Sequence, residues 1–248
     1  MRIRFFLLLL HTLTYSPEYI SGAAPKFIFI TGGSASGKTT FAKALVNKLG
    51  EDQGFYLSLD EYLDKRVQPE SDFIEGIPNF DNPSMINWKL LKENLNDLQS
   101  GLPIEGPVYD FSSWMPVAVR LLAWKPVVII EGIHSTQDNV DMIDGMRIFL
   151  DVNQDLRYKR RVFRDVKERN YTLEMIEKTF FKMAVPFQKI FLEPTRHKAN
   201  IIIHSLDGED YLEKAITYVI NTLKSVKPAE FKNIKLKMSY QQGDLVVE

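Results

Sequence analysis

Apolar residues along this chain come in two arrangements that take turns. Stretches dominated by apolar residues at 27–30, 55–59, 127–130, 147–151 and 199–203 read as strands, and the unbroken run at 127–130 is of the kind covered on both faces in a parallel sheet. Between them lie stripes of helical period: residues 41–49 after the first run, then Met85, Trp88, Leu91, Leu95 and Leu98, and finally Tyr211, Leu212, Ala215, Ile216, Val219 and Leu223. The punctuation agrees. Gly50 and Gly101 stop helices, Ser84 and Thr172 are placed to cap them with Glu174 in the first turn after Thr172, and Pro186 is expected to kink or end that last helix. The alternation predicts one α/β domain. Residues 65–83, rich in Pro, Gly, Asn and acidic side chains, read as a long loop of the kind that binds or covers ligands. Two proline-bounded pieces, 107–111 and 117–124, read as a hairpin or small insertion, and residues 227–248 as a polar tail without a motif.

The first apolar run leads into Gly32-Gly33-Ser34-Ala35-Ser36-Gly37-Lys38-Thr39-Thr40, and a helical stripe follows. Strand, glycine-rich loop and helix in that order are the context in which G-x-x-x-x-G-K-[ST] becomes a phosphate-binding loop. Glycines at 32, 33 and 37 let the backbone curl into a nest of N–H donors, and the helix starting near Lys38 points its positive end at the same spot. Lys38 can reach the β- and γ-phosphates of a nucleotide, and the Thr39 hydroxyl is placed to ligate Mg²⁺. Thr40 serves the phosphates or the first helical turn.

Two further runs end in carboxylates. Ligands of open α/β sheets gather beyond the carboxyl ends of the strands, so Asp60 and Glu131 are expected beside the phosphate loop. Asp60 has two tasks open to it, accepting a proton from an attacking hydroxyl or helping to hold Mg²⁺, against a plain role as a helix N-cap. Glu131 is a direct or indirect magnesium partner, or a structural acid. His134 receives no role. Residues 155–169 carry Arg157, Lys159, Arg160, Arg161, Arg164, Lys167 and Arg169 around Leu156, Val162, Phe163 and Val166. Arg157, Arg161 and Arg164 share a face. The stretch is either a solvated helix laced by Asp165 and Glu168 or a lid that carries guanidinium groups onto a transferring phosphoryl group.

Composition narrows the partners. The chain has 248 residues and a formal net charge of −1, which leaves no basic excess to release counterions from a nucleic acid. There is no cysteine, so disulfides and thiolate zinc sites are excluded and a reducing compartment is favoured. Arg2 and Arg4 before residues 5–10, with small residues at 21–24, resemble a secretory signal, but the apolar core is short and far too brief to span a bilayer. Residues 1–24 are read as an N-terminal extension or targeting segment, and an ATP-using core favours the cytoplasm.

Taken together, these motifs resemble the uridine kinase family within the uridine kinase and phosphoribulokinase superfamily of P-loop kinases. The resemblance runs from about Lys26 to Ile203 and rests on the phosphate loop, Ser58-Leu59-Asp60, Asn79-Phe80-Asp81-Asn82-Pro83, Pro107-Val108-Tyr109-Asp110-Phe111, Glu131-Gly132-Ile133, Arg160-Arg161-Val162-Phe163-Arg164-Asp165 with Glu168-Arg169, and Pro194-Thr195-Arg196. It implies a kinase domain over 25–226 with a five-stranded parallel sheet flanked by helices, a β-hairpin insertion and an arginine-bearing lid. It makes Asp60 the base for a sugar 5′-hydroxyl, Asp81 a ligand of the ribose hydroxyls and Tyr109 a wall of the nucleoside pocket. Thr39, Asp60 and Glu131 would surround Mg²⁺, and Arg161, Arg164 and Arg169 would meet the phosphates of ATP. Departures fall where the family reads the base: Leu63 replaces an aromatic Tyr, Trp114 stands where a His hydrogen-bonds the pyrimidine, and Tyr171 replaces a basic residue. The expected activity is ATP- and Mg²⁺-dependent phosphorylation of uridine or cytidine, a step of pyrimidine salvage. The alternatives are a kinase of another nucleoside or sugar phosphate, and a nucleotide-dependent switch that transfers nothing. The partners are a nucleotide donor and a small-molecule acceptor, with homo-oligomerisation left open.

Overall fold

A computed structural model describes residues 24–248 apart from 68, 70–72 and 206; the expectation about residues 1–24 falls almost wholly outside them. The apolar runs form β1 (Lys26–Gly32), β2 (Gly54–Ser58), β5 (Val127–Glu131), β6 (Gly145–Asp151) and β7 (Ile201–His204), all parallel, in the spatial order β2-β5-β1-β6-β7. The sheet does not stop at five strands. Residues read as a polar tail supply β8 (Leu236–Gln241), parallel to β7, and β9 (Asp244–Val247), antiparallel to β8, so among the described residues the sheet is seven-stranded and mixed. Leu236, Met238 and Tyr240 alternate with polar residues. That weak period-two signal is enough because Met238 is fully buried against the core and Tyr240 stacks on Tyr211 with ring centroids 5.1 Å apart. Gln242 and Gly243, both left-handed at φ 52° and 94°, make the tight turn between the two strands.

Side chains alternate across the sheet and build two cores. Ile28 and Ile30 face α1 (Lys38–Leu49) and the closing helix α6 (Glu209–Ser225), meeting Phe41, Leu45, Ile216 and Val219. Phe27 and Phe29 face α2 (Trp88–Gln99) and the hairpin of β3 (Ile104–Asp110) and β4 (Met115–Leu122), meeting Leu91, Leu95, Leu98 and Ile104. The cap of α2 differs from expectation. Asn87, not Ser84, accepts from the Leu90 N–H and starts the helix, while Asn82 caps a separate short 3₁₀ turn, Pro83–Met85. Trp88 packs against the second core and donates its indole N–H to the Pro83 carbonyl at 2.8 Å.

On the far side of β6 lies α3 (Gln154–Arg169), followed by α4 (Leu173–Thr179), which Thr172 caps as expected. Pro186 does not end the helical run. Wide π-helical turns at Phe180–Ala184 and Gln188–Leu192 flank α5 (Val185–Phe187), so the backbone goes on around a residue that cannot donate an ordinary helical bond. Among the described residues no helix is long and apolar enough to cross a membrane.

Candidate active site

The site lies beyond the carboxyl ends of β1, β2, β5 and β6. Gly32 closes β1 at φ +149°, and a Cβ there would sit 2.6 Å from the Leu150 carbonyl oxygen and 2.7 Å from Ser36 Oγ, so the position admits glycine alone. Ala35 and Gly37 are left-handed at φ 61° and 96°, and the Ser36 N–H donates to the Gly33 carbonyl at 3.0 Å. Ser36 turns its own hydroxyl inward, fully buried and without a partner among the described residues. No side chain caps the first turn of α1. Its N–H groups are left to an anion, and the curled loop ahead of them suits a polyphosphate.

Lys38, only 8% exposed, folds back to donate to the Gly33 carbonyl at 3.1 Å. Burial lowers its pKa, and the Glu131 and Asp60 carboxylates pull the other way. At the end of β5, Glu131 is 2% exposed and accepts from the Thr39 hydroxyl at 3.0 Å. Burial, and after it the charge of Asp60, pushes the Glu131 carboxyl above its ordinary value. Two acids and a hydroxyl crowded beside a phosphate loop are short of positive charge and supply only hard oxygens. They fit Mg²⁺, an ion held by one or two protein oxygens and by phosphates rather than by a closed protein cage. Thr40, beside Thr39, is exposed on the first turn of α1.

Helix α3 decides between the two readings of its charge. Its apolar Phe163 and Val166 are 70% and 50% exposed, while Arg157, Arg161 and Asp165 are buried. The charged face points inward, over the phosphate loop. Arg157 donates from Nη1 to the Ser34 carbonyl at 3.3 Å and from Nε to the Val152 carbonyl at 3.1 Å. Arg161 donates to the Ser34 hydroxyl at 2.9 Å and to Thr179 at 3.1 Å. A Cβ on Gly33 would fall 2.4 Å from Arg157 Nη1, so the second glycine makes room for this arginine. Asp165, with no exposed side-chain surface, lies 3.2 Å from Arg161, 2.7 Å from Arg164 and 3.5 Å from Arg169. Arg164 is close enough to Lys38 to help lower its pKa. Arg169 sits 4.3 Å over the Phe111 ring, on the hairpin side.

Across from the phosphate loop, Asp60 projects from a 3₁₀ turn, Leu59–Tyr62, that follows β2. Asp81 is 5% exposed; burial raises its carboxyl, while Arg161, Lys38 and Arg157 oppose the shift. Tyr109 on β3 is almost buried and its hydroxyl has no partner; burial, with Asp60 and Tyr171 nearby, pushes its pKa up. Trp114 is left-handed at φ 60° in the hairpin turn, edge-on to Phe80 at 6.0 Å, with the Lys65 ammonium 5.8 Å from its ring centre. Leu63 is buried and bridges to Ile86, contributing bulk to the second core rather than a polar group.

The crevice therefore brings together the loop, Lys38, Thr39, Asp60, Asp81, Glu131, Arg161 and Arg164, with Tyr109 and Trp114 on its hairpin wall and Arg169 beside them. Sequence reasoning placed Arg157 within the charged stretch without a task of its own and gave Asp165 none beyond lacing the helix. The spacing of Arg157 and Arg161 held the clue to the first. Nothing local showed that Asp165 would be buried among three guanidinium groups.

Comparison with known proteins agrees with this geometry. Residues 27–211 match the phosphoribulokinase / uridine kinase family. A uridine kinase of Staphylococcus epidermidis (strain ATCC 35984) is 36% identical over 205 residues, covering 81% of this chain and 97% of that protein. A uridine kinase of Staphylococcus carnosus (strain TM300) is 35% identical over 185 residues, covering 73% and 87%. Among solved structures, a Silicibacter sp. TM1040 protein named as a proposed fructose transport system kinase superposes with a TM-score of 0.56 at 17% identity, over 69% of this chain and 85% of that one. At that identity the likeness speaks for the fold alone. With its phosphate loop, strand-end acids and inward-facing arginine helix, the chain belongs to the phosphoribulokinase / uridine kinase family, as a uridine kinase-like P-loop phosphotransferase.

Proposed function

We propose that this kinase transfers the terminal phosphoryl group of ATP to the 5′-hydroxyl of a pyrimidine nucleoside, uridine or cytidine. The observation that carries the proposal is the buried Asp81, held across the crevice from Lys38 and Arg161 and within electrostatic reach of Asp60. A carboxylate in that setting is suited to hold a polyol by its hydroxyls while Asp60 takes the proton from the one that attacks. Lys38, Arg161 and Arg164 offset the charge that spreads over the phosphoryl oxygens in an in-line transfer, and Arg157 shapes the loop beneath them. Thr39, Glu131 and Asp60 would hold Mg²⁺, which when bound neutralises charge on the phosphates. Arg169 lies where the acceptor and phosphate sides meet, and Tyr109 and Trp114 wall the nucleoside base. The Staphylococcus relatives, named uridine kinases, support this acceptor.

One feature favours a second acceptor class. The indole of Trp114 has no acceptor atom, and an apolar wall discriminates weakly between ligands that differ in polar groups. A modified nucleoside or a sugar phosphate fits that wall as a rival substrate. Acceptor-dependent ADP formation from Mg-ATP, measured across nucleosides, sugars and sugar phosphates, tests both. Turnover of uridine and cytidine is expected. Asp60→Asn should lower it by about 10²–10⁴-fold with nucleotide binding kept. Turnover confined to another acceptor would reassign the pocket, and tight ATP binding without any acceptor would point to a switch.

A further inference from the structure

His134 lies three residues beyond Glu131, is 3% exposed and takes no part in the chemistry described so far. Its Nε2 is 3.0 Å from the backbone carbonyl oxygen of Asp81, a contact that spans 53 residues of sequence. A carbonyl only accepts, so Nε2 carries the proton and Nδ1 is the bare nitrogen. Nδ1 is buried with no partner among the described residues. The ring is neutral, because burial lowers its pKa to about 4. A buried imidazole that is only half satisfied is a poor way to fill space, since an aliphatic side chain would leave no polar atom stranded. What it supplies is the one N–H.

The position of that N–H gives it a task. The segment around His134 is tied to β1, where the phosphate loop begins: the Thr31 hydroxyl donates to the Ile133 carbonyl at 2.8 Å and the Ser135 hydroxyl to the Ile30 carbonyl at 2.8 Å. On the other side, Asp81 has its own N–H held by Asn79 Oδ1 at 3.2 Å, and Pro83 is held by Trp88 at 2.8 Å. His134 joins these two rigid pieces. The edge of its ring meets Phe191 at 6.3 Å between centroids, and Gln137 donates to the Phe191 carbonyl at 2.6 Å, which leaves the imidazole little freedom to turn.

We propose that His134 is a positioning residue for the acceptor: its Nε2–H fixes the backbone of Asp81 against β5 and the base of the phosphate loop, and so sets where the acceptor hydroxyl stands relative to the phosphoryl donor. This rests on the reading of Asp81 as the acceptor's ligand. A displacement of about 1 Å at such a site costs up to about 100-fold in rate. The tether acts through Asp81 and leaves the contacts to ATP untouched.

The test compares four proteins on the acceptor that the substrate panel identifies. His134→Leu removes the bond. His134→Gln places an amide donor near the position of Nε2, and His134→Asn places one near Nδ1, out of reach of Asp81. Asp81→Asn serves as the reference for loss of acceptor contact. His134→Leu and His134→Asn are expected to raise the acceptor KM about tenfold or more with the Mg-ATP KM unchanged, and His134→Gln to restore most of it. Amide exchange of residues 79–85, followed by mass spectrometry, should quicken in the Leu and Asn variants and not in the Gln variant, and this readout needs no acceptor and no turnover. Unchanged exchange at 79–85 in folded His134→Asn overturns the proposal, as does an acceptor KM that rises equally in the Gln and Asn variants or in step with the Mg-ATP KM. If Asp81→Asn leaves the acceptor KM alone, the reading of Asp81 fails instead, and the exchange experiment still decides whether the tether exists.

Discussion

Replacing Asp165 by Asn should cost this protein both stability and turnover, and the size of each loss follows from the burial around it. Asp165 has no exposed side-chain surface and is the shared counter-ion of Arg161, Arg164 and Arg169, whose side chains are 7%, 31% and 19% exposed. An amide of the same shape keeps the packing and removes the charge. Breaking a buried ion pair from one side costs about 3–5 kcal/mol, because the abandoned charge stays desolvated. Here the cost is reduced. Arg164, the most exposed of the three, turns to water once released, and Arg161 keeps its bonds to Ser34 and Thr179. A loss of about 2–3 kcal/mol is expected, a fall of about 4–12 °C in Tm for a chain of this size. Thermal and urea unfolding measure it, with an unchanged urea slope showing that the unfolded state has not altered. The same variant frees Arg164 to leave its place beside Lys38, where the proposed mechanism needs it, so kcat should fall by about 10–100-fold while the KM for Mg-ATP moves far less. A Tm within about 1 °C of the parent together with an unchanged kcat would refute the idea that Asp165 organises the arginines.

Other outcomes can be stated briefly. Arg164→Ala should lower kcat far more than ATP affinity, as steady-state kinetics beside nucleotide titration would show; equal losses would make it a simple binding residue. Burial and then Asp60 raise the Glu131 carboxyl, so the folded state holds its proton more tightly than the unfolded state does. Stability of the metal-free protein should therefore fall as pH rises through that raised value. Glu131→Gln should raise the Tm at neutral pH in the absence of metal and diminish the further rise that Mg-ATP gives the parent, both read by thermal shift. Trp114→His should sharpen selection for uridine over nucleosides that lack its polar edge, by about tenfold or more in kcat/KM ratios, and no change in those ratios would remove residue 114 from base recognition.

Much of the site is local in origin, and such parts can be read from the chain. The phosphate loop is legible because its chemistry needs contiguous residues: Gly32 is forced because a Cβ there would fall 2.6 Å from the Leu150 carbonyl oxygen, and Lys38 and Thr39 follow in the first helical turn. Asp60 and Glu131 are legible because a parallel strand delivers whatever ends it to the same edge of the sheet. The hairpin shows in its prolines. The helix starting at Asn87 rather than Ser84 could not be told apart by side-chain type, since both residues are good caps; the 3₁₀ turn at Pro83–Met85 displaced the start.

Tertiary structure settled whatever depended on which surface an element meets. From its residues helix α3 reads either as a solvated mixed-charge helix or as a lid carrying guanidinium groups, with Phe163 and Val166 among its apolar side chains. They are exposed, because the phosphate loop offers its carbonyl and hydroxyl groups to Arg157 and Arg161, and Asp165 completes the cluster. Strands β8 and β9 exist because β7 leaves an open edge beside α6, a place for Met238 and Tyr240 that no window of sequence contains. The tether from His134 to Asp81 joins residues 53 positions apart. The sequence by itself determined the α/β order, the phosphate loop and the acids at the strand ends, all set by neighbours along the chain. The inward turn of the arginines, the sixth and seventh strands and the contact between His134 and Asp81 were decided only in the fold, where burial and charge are shared among residues the chain keeps far apart.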